Sequence, residues 1–112
     1  MAKPASPELT FVASDNEIVS VTITSDTAGL VPVNITGRTY VMSIAATPGA
    51  TVVTSATGSV TGASGLVTFT FPTAKTVLLT GTSYTYDVVE TASGVESTIM
   101  LGRLNVLVGV TA

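Results

Sequence analysis

The sequence predicts an all-β sandwich of seven to eight antiparallel strands, and three observations carry that reading. Thr, Val, Gly and Ser dominate the composition while strong helix formers are scarce. Short segments alternate apolar with polar residues, the period that puts one face of a strand in a core and the other in solvent. Turn signals separate these segments every 8 to 12 residues or so, the spacing of sandwiches and barrels. At 112 residues the chain fits one domain, so the expected organisation is an extended N-terminal arm over 1–8 followed by a single sandwich over 9–112.

Pro4 and Pro7 keep the arm out of a sheet centre, because proline has no N–H to donate to a ladder. Freed from pairing, the arm is expected to reach a neighbouring subunit, which makes Pro4 and Pro7 interface candidates. Residues 9–13 form a first strand with Leu9 and Phe11 inward, closed by Ser14-Asp15-Asn16. Residues 17–24 set Val19, Val21 and Ile23 against Ser20, Thr22 and Thr24, a strand with one dry and one wet face. A turn follows over 25–29. Pro32 and Gly37 then make 30–37 an extended connector.

From Arg38 to Ala45, Tyr40, Met42 and Ile44 share a face. Thr47-Pro48-Gly49-Ala50 fits a type II turn, with Pro second and Gly third. A short strand over 51–54 leads into Ser55–Gly65, a Gly-, Ser- and Thr-rich run read as either a long loop or a weak edge hairpin. Residues 66–71 return to alternation with Val67, Phe69 and Phe71 inward, and Pro72 stops the strand. Residues 73–78 are the one stretch suited to a helical turn, with Thr73 as its cap and Val77 and Leu78 tucked beneath. Tyr84, Tyr86 and Val88 then alternate with Thr85, Asp87 and Val89. Ser93-Gly94 turns the chain into a last strand over 95–110, where Met100, Leu104, Val106 and Val108 share one parity and Gly102 marks a bulge or a close contact.

Composition narrows the function. There is no Cys and no His, so disulfides, thiolate zinc sites and imidazole chemistry are excluded. Residues 1–8 lack the apolar core of a signal peptide, and no apolar run approaches the ~20 residues of a membrane helix. The expectation is a soluble product made in a cytoplasm, without a membrane partner. A net charge of −3 with only four cations argues against a protein that tracks nucleic-acid phosphates. Charged residues make up only 10% of the chain, against about 25% in an ordinary domain. Mean hydropathy is +0.61. A surface so poor in charge is expected to be covered in part by other subunits.

Candidate chemistry is sparse. A nucleophilic Ser or Thr needs a base, and Lys3 and Lys75 are the available amines. Asp87 and Glu90 lie three apart on one strand and point to opposite faces, which spoils a glycosidase pair. Asp15, Glu17 and Asp26 flank one strand but lack the spacing of a Ca²⁺ loop. Asn34-Ile35-Thr36 matches a glycosylation sequon and reads as an ordinary turn. No catalytic, cofactor or metal site is therefore expected. Arg103, amid the last apolar strand, is the charge of interest: it either snorkels to the rim or pairs across a subunit contact, with Glu90 or Glu96 as partner.

Two resemblances bear on identity. Leu78, Gly81 and Tyr84, followed by an alternating strand, resemble the tyrosine corner of immunoglobulin-like and fibronectin-like sandwiches, where a Tyr hydroxyl bonds to backbone at the crossing between sheets. More broadly, Asp15 to Ile23, the connector Pro32-Val33-Asn34-Ile35-Thr36-Gly37, Gly65 to Phe69, the corner and Leu101-Gly102-Arg103-Leu104-Asn105-Val106 run in an order similar to small immunoglobulin-like domains of tailed-bacteriophage virions. The corner here carries one extra residue between Gly81 and Tyr84. The resemblance implies an immunoglobulin-like fold and a non-enzymatic structural role on a capsid or tail lattice, as a cement, decoration or baseplate accessory protein. It implies protein partners, namely capsid or tail subunits and further copies of the chain, and no cofactor. Two rivals are a carbohydrate-binding or adhesin module, which needs an exposed aromatic ring, and a small hydrolase, which needs facing titratable groups in a cleft.

Overall fold

The structure, a computed structural model, describes residues 7–24 and 33–108. Within them the chain forms β1 (Leu9–Ala13), β2 (Glu17–Thr22), β3 (Thr39–Ala45), β4 (Val52–Thr57), β5 (Ser59–Thr61), β6 (Leu66–Phe71), α1 (Thr73–Thr76), β7 (Ser83–Ala92) and β8 (Val95–Val108). A five-stranded sheet in the order β1-β8-β7-β3-β4 packs on a three-stranded sheet in the order β2-β6-β5. This is an immunoglobulin-like sandwich. The Pro4 end of the arm, the turn at 25–29 and the connector residue Pro32 lie outside the described residues.

Alternation places the core as expected. Tyr40, Met42 and Ile44 from β3, Val67, Phe69 and Phe71 from β6, and Tyr84, Tyr86 and Val88 from β7 all face the space between the sheets and are buried. Each such side chain contributes about 1.5–3 kcal/mol on leaving water. Phe11 and Phe71 bring ring centroids to 5.4 Å across the two sheets.

One pair departs from the antiparallel expectation. β1 runs parallel to β8, Leu9 opposite Leu104 and Ala13 opposite Val108, because the chain leaves β1 directly for the other sheet. The Ser55–Gly65 run resolves as an edge structure: β4 continues to Thr57, Gly58 carries the chain across to the second sheet, and β5 pairs with β6. Glycine is required there, since a Cβ at residue 58 would lie 2.4 Å from Val67 Cγ1. Gly102 marks a close contact, its missing Cβ leaving room for the Tyr86 ring at 2.7 Å. The bulge itself falls elsewhere, between Val88 and Val89 opposite Thr98 and Met100, and it buries both Ile99 and Met100.

The helical turn corrects three expectations. α1 spans only Thr73–Thr76, and its first free N–H, that of Thr73, is capped from a distance by Asn16 Oδ1 at 2.9 Å. The residues tucked beneath are Thr76 and Leu79, while Val77 and Leu78 are each 50% exposed. A single four-residue turn rotates the chain so that the buried apolar residue before the corner is Leu79, one position later than Leu78.

Candidate functional site

The corner begins at α1. Gly81 N–H donates to Tyr84 Oη at 2.6 Å, and the absence of a side chain at Gly81 lets that hydroxyl approach. Leu79, 1% exposed, takes the buried position beneath the corner expected of Leu78. Two residues further along the strand, Tyr86 donates its hydroxyl to the Pro7 carbonyl at 2.6 Å. Glu8 accepts from the Asn105 amide. Pro7 and Glu8, grouped with the arm by sequence, are thus fastened to β7 and β8.

Glu90 occupies the last core-facing position of β7. Its Oε2 accepts from Tyr40 Oη at 2.5 Å and lies 3.4 Å from Arg38 Nη1. Burial, reinforced by Glu90, pushes the Tyr40 hydroxyl far above its ordinary value. This arrangement removes Glu90 from the two partners expected for Arg103. Glu90 is enclosed in the core and held by two partners from β3 and its approach, so it cannot take an arginine from the opposite side of the sheet.

Arg103 instead stands exposed on the outer face of the five-stranded sheet, opposite Thr85. The centre of that face is built from alternate residues of β3, β7 and β8. Val89 lies beside Val41, and Asp87 lies between Ser43 on β3 and Leu101 on β8. Val41, Leu101 and Leu107 are exposed there, the two leucines by more than half. The face is therefore aliphatic and hydroxylic, with Asp87 and Arg103 as its central charges. They are diagonal neighbours on adjacent strands, about 7–8 Å apart by sheet geometry, and they do not meet: Arg38–Glu90 is the ion pair found among the described residues. Asp87 Oδ1 is enclosed and accepts no hydrogen bond. Burial raises the Asp87 pKa above its ordinary value of 3.8.

Charged side chains cover both margins of this sheet. Glu17 Oε2 accepts the Val12 N–H of β1 at 3.1 Å, and the Lys75 ammonium donates to the Ser55 carbonyl of β4. Charges on an edge discourage addition of another strand. They also employ two of the groups considered for chemistry, since Lys75 is engaged with backbone and Glu17 with β1. Lys3 and Asp26 lie outside the described residues, among which no cluster of acidic ligands suited to a metal ion occurs. Asn34 accepts from the N–H and hydroxyl of Thr36, at 3.1 and 2.6 Å, an Asx turn. All six aromatic rings are buried, which leaves none at the surface for stacking on a sugar. Among the described residues no helix is long and apolar enough to cross a membrane.

Sequence reasoning missed Asp87 as a member of this face and Arg38 as the partner of Glu90. The outward parity of Asp87 was readable from Tyr86 and Val88. Its enclosure depends on which residues stand opposite, and no local signal encodes that. Comparison with protein-family models and with curated proteins finds no match to the chain.

Proposed function

We propose that this chain is a non-enzymatic structural subunit of a tailed-bacteriophage virion, made in the host cytoplasm. In this reading it binds a capsid or tail lattice as a cement, decoration or baseplate accessory protein. The observation that carries the reading is the outer face of the five-stranded sheet, where Val41, Leu101 and Leu107 stand exposed on a chain with only 10% charged residues. Aliphatic area of this kind gains free energy when a partner covers it, at about 25 cal/mol per Å². The covered edges favour contact through the face over strand addition.

Lattice repetition supports the same reading, because many weak copies of one contact add avidity without a tight individual site. The order of motifs shared with virion domains gives the reading its particular assembly. The test is quantitative mass spectrometry of purified particles. A copy number matching a symmetry of the capsid or tail is expected, and a protein found only free in the lysate would overturn the role.

A further inference from the structure

We infer that the outer face of the five-stranded sheet docks on the same face of a second copy of the chain, with Asp87 of each protomer meeting Arg103 of the other. The inference names one partner of the adhesive role proposed above and rests on that reading for its biological use. Three observations converge on a second copy as the occupant.

The first is charge. One face carries an acid and a base that are diagonal neighbours yet unpaired with each other, Asp87 on β7 and Arg103 on β8. A two-fold contact brings residue i of one protomer onto residue j of its partner and j onto i. The centre of the face, with one charge of each sign, is complementary to itself under that operation, whereas a partner with a uniformly charged surface satisfies only one of the two. The second is the orphaned oxygen. Asp87 Oδ1 is enclosed without a donor, and polar atoms left so in a native fold call for a reason. A guanidinium laid over the face supplies the missing donors once the carboxylate rotates, in the charge-assisted geometry that arginine favours.

The third is size and composition. Five strands at ~4.8 Å spacing and roughly seven residues of strand length give a footprint of about 550 Å² on each protomer, so a face-to-face pair clears the ~1,000 Å² expected of a specific interface. Around the two charges lie Val41, Val89 and Leu101, with Leu107 further along β8 opposite Val12 of β1. Glu96, near the β7–β8 hairpin, and Glu8, beside Asn105, stand toward opposite ends of the sheet.

Sedimentation equilibrium on the purified chain tests the inference. A reversible dimer is expected, weakened about tenfold or more by Asp87→Lys or by Arg103→Glu, since close charge pairs in interfaces are worth at least that factor. Mixing the two variants in equal amounts is expected to restore association near the unmodified level, because each new charge then faces its opposite across the axis. Rescue by mixing distinguishes a contact across the interface from damage to the fold. Arg103 is exposed, so Arg103→Glu keeps the fold even where Asp87→Lys does not, and unchanged dimerisation of Arg103→Glu overturns the inference. So does a wild-type chain that stays monomeric to about 1 mM, or two folded variants that fail to associate when mixed. The assay uses the isolated chain, so a dimer of a protein lacking from particles supports this face while counting against the virion role.

Discussion

At Asp87 a carboxylate is held where one oxygen has no donor and burial disfavours its charge. Folding raises its pKa above the unfolded value, so between those two values the folded chain binds the proton more tightly. The resulting penalty is absent at acid pH below the unfolded value, grows as pH rises through the window, and is fully present at neutral pH. Asp87→Asn is accordingly expected to raise the thermal midpoint of the dilute monomer at pH 7 and to lose that advantage near pH 3, as read by circular dichroism melts. Glu90, by contrast, has its Oε2 engaged by Tyr40 and Arg38. Glu90→Ala strands a buried Tyr40 hydroxyl and is expected to cost about 1–3 kcal/mol in urea unfolding. Neither role was visible in the residue types. Glu90 and Arg38 are 52 positions apart in sequence, and the register between β3 and β7 brings them together.

Among the elements, period-two alternation made the inward faces of β3, β6 and the first half of β7 readable, and a Pro-Gly pair gave the turn after β3. There Ala50 N–H reaches the Thr47 carbonyl at 3.1 Å with Gly49 at φ 82°. What alternation does not encode is the neighbour. The inward side of β1 stays the same whether its partner runs parallel or antiparallel, so its pairing with β8 was not legible. The buried leucine before the corner is Leu79 rather than Leu78 for a related reason: in a helical turn inward positions recur every three or four residues, and α1 is too short to display that period. Gly102 offers a direct check of packing between neighbouring strands. Gly102→Ala places a Cβ about where the Tyr86 ring lies, 2.7 Å away, and is expected to destabilise by about 1–3 kcal/mol in denaturant titration.

For the whole molecule, the two sheets divide the labour. The inner faces hold every aromatic ring, both edges of the larger sheet end in charged side chains on backbone groups, and its outer face is left aliphatic around one acid and one base. The sparse charge of the sequence indicated a covered surface without indicating where, and the fold locates the candidate. The other sheet supplies the control, since Ile18 on β2 is 67% exposed and lies on the opposite side of the sandwich. Hydroxyl-radical footprinting of the associated form against the dilute monomer is the most direct measurement. Protection of Leu101 and Leu107 with Ile18 unchanged is the expected result. Leucines as reactive in the associated form as in the monomer, with protection at Ile18 instead, would contradict the account.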